Sequence, residues 1–282
     1  MTSTVGRPLG ELLARGTRSS IHAYGRGAVA KVPHPSTPAG WIESEAEYAD
    51  AARAVGAPVP RLLGLVEIGG RPASIWERIL GTSMWQRVID RPQLSAETGR
   101  QLAEVQQDLF ELVPPVTLPR QSDRIISKIR RAGASVDASL TRALDLIPAP
   151  AGPPRLCHGD LHPSNVILSA SGAVVVDWFD ASRGDPVADV ARTLLTMLGD
   201  GGVAPLHLPG SDLRTLGALT DAYLAAAHTT LAIDTSLLER WQAIEAVARI
   251  AEGVPRAALL EVWRRFEETE SGRPAAGQTA AG

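Results

Sequence analysis

The apolar positions of this chain change rhythm twice. Residues 10–31, GELLARGTRSSIHAYGRGAVAK, carry short apolar runs between small residues, the pattern of strands joined by turns. Gly25-Arg26-Gly27 is a hairpin signal, and an apolar strand over 28–32 follows it, ended by Pro33 and Pro35. Residues 41–55 have helix-forming composition and stop at Gly56 and Pro58. Strands are expected over 62–68 and 73–79, around a Gly69-Gly70 turn. The first 80 residues therefore read as an α+β lobe of strands flanking one helix. From Ser95 the period becomes helical. One helix opens near Ser95-Ala96-Glu97-Thr98 and runs to about residue 112, and shorter ones are expected around 122–132 and 135–147. Beyond the proline-rich IPAPAGPPR, residues 156–180 form a non-helical island with apolar runs at 166–168 and 173–176. Helices return after Pro186, over 212–229, 235–252 and 255–270. The expected organisation is an N-terminal lobe over 1–80, a mostly helical lobe over 81–271, and a disordered tail over 272–282.

Composition narrows the class. A chain of 282 residues that is 44% hydrophobic and 21% charged has the profile of a soluble globular enzyme with room for two lobes. The opening MTSTVGRPLGELLARG has no continuous apolar stretch, so neither signal peptide nor anchor is expected, and later apolar runs are too short for a membrane span. The single cysteine, Cys157, excludes an internal disulfide and suits a reducing cytoplasm. Net charge is −3, but unevenly spread. Residues 158–282 hold 16 acids against nine Arg and no Lys, whereas the first 157 residues carry a balance of +4. A basic front half suits an anionic ligand and an acidic back half a cationic one. No basic stripe with interleaved aromatics is present, so no nucleic-acid partner is expected.

Two residue types are scarce. Among 28 basic residues only Lys31 and Lys128 are lysines, and Asn165 is the sole asparagine. That asparagine sits in CHGDLHPSNVIL, five positions after Asp160. An aspartate followed at that interval by asparagine is the spacing of a kinase catalytic loop. Twelve residues on, Asp177 ends the apolar run at 173–176. A short hairpin between them would bring Asn165 and Asp177 to one site, where an amide and a carboxylate oxygen suit Mg²⁺. Asp160 would accept or orient the hydroxyl proton of an acceptor. Lys31 is the candidate cation for nucleotide phosphates, held by a glutamate of the helix at 41–55. Of Glu43, Glu45 and Glu47, Glu45 is favoured, with Glu47 the alternative. His158, Asp160 and His162 could instead ligate zinc, but that leaves Asn165 and Asp177 without a task. Gly25-Arg26-Gly27 is no phosphate loop, since it lacks Gly-Lys-Ser/Thr and precedes a strand. His158 reads as structural, Asp185 and Asp189 as loop and helix-start residues, and Asp180 as close enough to touch a cationic acceptor.

These motifs make the chain similar to the aminoglycoside phosphotransferase family, a branch of the protein-kinase-like fold. The resemblance is carried by His158 to Asn165, Asp177-Trp178, Gly184-Asp185-Pro186 through Asp189, Lys31, Glu45 and Glu77-Arg78-Ile79-Leu80-Gly81. It implies a bilobal kinase-like fold, with ATP or GTP and Mg²⁺ in the cleft and adenine on the backbone from Glu77 to Ile79. Asp160 would be the catalytic aspartate, with Asn165 and Asp177 on the metal. Ser164 stands where the family has glycine, and Gly16-Thr17-Arg18-Ser19-Ser20 replaces a glycine-rich loop, so Ser19 and Ser20 are the expected phosphate-side hydroxyls. Resemblance and charge together point to a hydroxyl of a cationic antibiotic, an aminoglycoside or a cyclic peptide such as capreomycin, with Asp180 and Asp185 as acceptor contacts. The alternatives are a metabolic kinase acting on choline, an amino alcohol or a sugar, and a non-catalytic pseudokinase.

Overall fold

A computed structural model of the chain describes residues 8–38, 40–132, 142–150, 152–197, 213–250, 252 and 256–272. The N-terminal lobe is a five-stranded antiparallel sheet built from β1 (Leu12–Arg15), β2 (Ser19–Ala23), β3 (Ala28–Pro33), β4 (Leu62–Ile68) and β5 (Arg71–Glu77), in the order β1-β2-β3-β5-β4. Gly69 and Gly70 both take positive φ, 58° and 77°, so a two-residue turn sets Ile68 opposite Arg71. That is the turn whose twist suits a hairpin. α1 (Trp41–Ala54) buries Trp41, Ile42, Glu45, Ala46, Ala49 and Ala52 along one side. Its alanines join Val59 and Trp76 in the main core.

Two elements between the lobes were not legible beforehand: β6 (Gly81–Ser83) and α2 (Met84–Asp90). The signal for the helix was present, because Ser83 Oγ accepts from Gln86 N at 3.0 Å, a serine cap three positions before a glutamine. Strand β6 pairs in turn with β8 (Val166–Ser169), which pairs with β9 (Gly172–Val175). A Cβ on Gly81 would lie 2.3 Å from Leu168 O, so the connector between the lobes lies directly on the β8–β9 hairpin.

The helical half contains α3 (Ser95–Phe110), α4 (Gln121–Ala132), α5 (Pro186–Met197), α6 (Leu213–Leu231), α7 (Thr235–Ile250) and α8 (Arg256–Gly272). Ser95 is the first residue of its helix rather than its cap, and its hydroxyl turns back to Pro92 O. Of the helix expected over 135–147, residues 135–141 lie outside the described residues, and Arg142–Leu144 form a single 3-10 turn. The tail at 273–282 also lies outside them. Among the described residues no helix is long and apolar enough to cross a membrane. Strands β7 (Arg155–Cys157) and β10 (Ser182–Gly184) pair antiparallel and bracket the island expected from the sequence.

α3 and α6 approach closely at Gly99, where an added Cβ would stand 2.1 Å from Leu219 O. Helix propensity alone would favour alanine there by about 1 kcal/mol. Overpacking against a backbone oxygen costs more, typically about 1–3 kcal/mol, so the clash wins. Gly99→Ala is therefore expected to lower the denaturation midpoint despite its better propensity. Urea unfolding of the two proteins checks this, with an unchanged or raised midpoint contradicting the close approach.

Candidate active site

The loop leaving β7 is held by two devices. Gly159 takes φ 77°, and a Cβ there would meet Asp180 O at 2.3 Å, so neither the backbone nor the space admits a side chain. The buried Asp189 supplies the second. Its carboxylate accepts from Gly159 N at 2.7 Å, His158 N at 3.3 Å and Gln106 Nε2 at 2.9 Å. Gln106 accepts in turn from the Tyr223 hydroxyl, tying the loop to α3 and α6. Asp189 thus braces the loop at His158 and Gly159, as expected, and does not cap the helix. Asp185 is the cap, with Oδ1 accepting from Val187 N at 2.8 Å and Oδ2 from Trp241 Nε1 at 3.3 Å.

His158 is structural, as expected. Its Nε2 donates to Val176 O at 3.1 Å, its Nδ1 accepts from Asp160 N at 3.3 Å, and its ring meets the edge of Trp178. His162, whose pKa burial pushes down, accepts from Ser164 N at Nδ1 and starts the 3-10 turn Pro163–Asn165. Ser164 needs no left-handed backbone in that turn, so a serine stands in the glycine position without strain.

Asn165 and Asp177 lie at the open end of the β8–β9 hairpin, where Val176 N donates to Asn165 O at 2.9 Å. Asn165 Nδ2 donates to Asp160 O at 2.9 Å, which leaves its amide oxygen as the end able to bind a cation. Asp177 adopts left-handed dihedrals, φ 68° and ψ 65°, uncommon for a residue with a side chain and a source of local strain. Its side chain remains 42% exposed, with Oδ1 3.1 Å from Lys31 Nζ. One amide oxygen and one partly exposed carboxylate form a hard-oxygen pair suited to Mg²⁺.

Lys31 completes the group. Its ammonium lies 2.5 Å from Glu45 Oε1 and 4.6 Å from the centre of the Trp41 ring. Glu43 and Glu47 are exposed, so the three-way choice on α1 resolves to Glu45. Burial opposes the Lys31 charge, but Asp177 and Glu45 outweigh it and raise its pKa. Burial also pushes Asp177 up, yet Lys31 wins and holds it below the usual carboxylate range. For Glu45 burial is the larger influence, and its pKa rises to about 7 despite Lys31.

The remaining expected residues are more scattered. Ser19 and Ser20 are buried in β2 rather than exposed in the turn before it, and Ser20 Oγ meets His22 Nε2. The turn is anchored by Arg18 O, which accepts from His34 N and Thr37 Oγ1. Glu77 ends β5 and accepts from Arg61 N, while Ile79 is half-buried just beyond it. Asp185 lines a recess of about 610 Å³ with Arg155, Arg183 and Trp241, and Asp160 is not part of that lining. Asp180 faces Arg124 and Lys128, each at 2.9 Å. Sequence reasoning missed Arg192, whose Nη2 approaches Asp160 Oδ1 at 3.9 Å, and its partner Glu252 at 2.8 Å. No local motif marks either. Lys128 could have been found, since the rarity that singled out Lys31 applies equally to it.

The sequence pattern of the phosphotransferase enzyme family matches residues 17–209. Among curated proteins none matches the sequence. Solved structures with the same fold include a thermostable mutant aminoglycoside phosphotransferase in ternary complex with AMP-PNP and hygromycin B. It has TM-score 0.65 and 17% identity, covering 93% of this chain and 94% of that one. An amicoumacin kinase bound to AMP-PNP, Ca²⁺ and its antibiotic aligns with TM-score 0.58 and 14% identity, over 95% and 90% of the two chains. A choline/ethanolamine kinase family protein from Mesorhizobium loti aligns with TM-score 0.52 and 16% identity, over 94% and 87%.

The Lys31–Glu45 pair requires an ionised Glu45, and with a pKa of about 7 that condition fails as pH falls through neutrality. The kcat/KM for a nucleoside triphosphate is expected to drop below pH 7, by up to about tenfold per unit. In Glu45→Gln, measured with the same nucleotide, this limb should flatten while the rate at pH 8 falls. An unchanged profile in that variant would remove Glu45 from the pair's control.

Proposed function

The chain belongs to the phosphotransferase enzyme family and is a kinase-type phosphotransferase, and on that premise we propose that it moves the γ-phosphoryl group of ATP or GTP to a hydroxyl of a small molecule. The observation that carries this reading is the convergence of Lys31, Glu45 and Asp177, brought together from β3, α1 and the end of the β8–β9 hairpin. In this reading Lys31 neutralises the nucleotide phosphates and Glu45 keeps its ammonium in place. Asn165 and Asp177 would hold Mg²⁺, which when bound offsets charge on the phosphates. The turn before Ser19 and Ser20 covers the phosphate end, and the backbone from Glu77 to Ile79 receives the base. Asp160, 30% exposed at its side chain, orients the acceptor hydroxyl and takes its proton. Positioning and charge neutralisation supply most of the acceleration, because little covalent chemistry falls to the protein.

The acidic back half supports a cationic antibiotic as acceptor, such as an aminoglycoside or capreomycin, with resistance as the outcome in the cytoplasm. The structural relatives bound to hygromycin B and amicoumacin fit that class. One observation favours the second reading, a kinase of a small metabolite such as choline or an amino alcohol. Asp180, the acid expected to receive a cationic acceptor, is already paired with Arg124 and Lys128.

The direct test is an acceptor panel of aminoglycosides, cyclic peptide antibiotics, choline, amino alcohols and sugars. Each is incubated with ATP or GTP and Mg²⁺ and read by mass for an added phosphate. Asp160→Asn should cut kcat by about 10²–10⁴-fold with little change in nucleotide affinity. Transfer that survives this change at full rate would displace Asp160 from its role. Asn165→Ala should raise the Mg²⁺ concentration needed for half-maximal rate, with the protein still folded but about 1–2 kcal/mol less stable for the lost hydrogen bond to Asp160 O. An unaltered metal requirement would exclude Asn165 as a ligand.

A further inference from the structure

Beside Asp160 lies a set of ion pairs that the nucleotide chemistry does not use. Lys128, on α4, donates to Asp180 at 2.9 Å and lies 2.7 Å from Glu252. Arg124 shares Asp180 and donates also to Phe179 O at 2.8 Å. Arg192 donates to both oxygens of Glu252, at 2.8 and 3.0 Å, and stands 3.5 Å from Glu245. The set adjoins the reacting position from two sides. Asp180 O packs against Gly159, one residue before Asp160, and Arg192 reaches Asp160 itself at 3.9 Å. Its members are largely shielded, with Lys128 12%, Glu252 17% and Asp180 19% exposed at the side chain. Both acids stay ionised. Burial would raise them, but Lys128 and Arg124 hold Asp180 far below its usual range, and Arg192 with Lys128 bring Glu252 down to about 2.

The acids beside Asp160 were expected to receive a polycation. Instead this chain supplies the cation itself. In a protein whose other basic residues but one are arginines, the residue between Asp180 and Glu252 is a lysine. A compact ammonium with three donors can bridge two carboxylates as the primary amine of a substrate would, whereas a planar guanidinium has a different reach. We infer that Lys128 is an acceptor-selectivity residue: its ammonium fills the cation subsite between Asp180 and Glu252, so that the acceptor turns a neutral or zwitterionic face to this wall. The inference rests on the reading that a hydroxyl acceptor binds at Asp160, and it narrows that acceptor to molecules lacking a second ammonium at this position.

The test measures binding, so that it does not depend on turnover. The full chain is saturated with Mg²⁺ and AMP-PNP and titrated calorimetrically with spermine, a simple polyamine probe. Lys128→Met should bind spermine at least tenfold more tightly than the unaltered protein, and adding Glu252→Gln to that variant should remove most of the gain. Glu252→Gln alone leaves Lys128 with a single carboxylate partner and should weaken spermine binding threefold or more. It therefore gives an opposite-signed reading even if Lys128→Met fails to fold. Lys128→Arg keeps the charge and should keep the weak binding. Equal affinities across the unaltered protein, Lys128→Met and Glu252→Gln would overturn the inference, as would a gain in Lys128→Met that Glu252→Gln leaves untouched. Phosphate transfer to the acceptor panel reads the underlying premise separately.

Discussion

One buried ammonium between two carboxylates holds the halves of this molecule in register. Lys31 comes from the sheet, Glu45 from the helix packed on it, and Asp177 from the open end of the β8–β9 hairpin, 146 residues from Lys31 in sequence. Taking such charges out of water costs several kcal/mol per ion, so the arrangement survives only because each has its partner within hydrogen-bond range. Replacing such a group by well-packed apolar side chains is often neutral or stabilising, which makes it a poor choice for stability alone. Its value is positional. The same ammonium that a triphosphate would use is kept charged and aimed, and Trp41, stacked near Phe179, closes it off on one side.

The other half of the site follows from keeping a loop in an unusual shape. Asp177 sits in left-handed dihedrals and Gly159 in a space where no side chain fits. Glycine adopts its conformation freely, whereas that of Asp177 would not persist by local preference and is held by its surroundings. Asp189 collects two loop amides and the Gln106 side chain, and His158 bridges from its own loop to Val176, the residue before Asp177. The connector at β6 lies on the same hairpin, so the lobe junction shares one small sheet with the strands that lead to Asn165 and Asp177.

Charge shows how local and global readings can diverge. Summed along the chain, the back half is strongly acidic, and that sum argues for a cationic ligand. Folding changes the meaning of the sum. Asp180 and Glu252 are brought to Lys128, Arg124 and Arg192, so the surplus acids lie elsewhere, and the wall beside Asp160 is compensated from within. A count of charges reports what a domain attracts at long range, whereas acceptor choice depends on which charges remain unpaired at a few ångströms.

Much of this protein was determined by its sequence alone. The turn glycines, the apolar periods and the spacing of Asp160, Asn165 and Asp177 are local patterns, and local patterns specify strands, helices and a hairpin with its chemistry at one end. The rarity of lysine and asparagine singled out Lys31 and Asn165. Glu45 was already favoured on α1, and tertiary structure alone decided that Asp185 rather than Asp189 caps the helix and that Ser19 and Ser20 are buried. It alone also joined Lys128 to residues 52 and 124 positions away, Asp180 and Glu252. Those outcomes depend on the rotation of a helix and the distance between elements, and neither quantity is carried by any short stretch of chain.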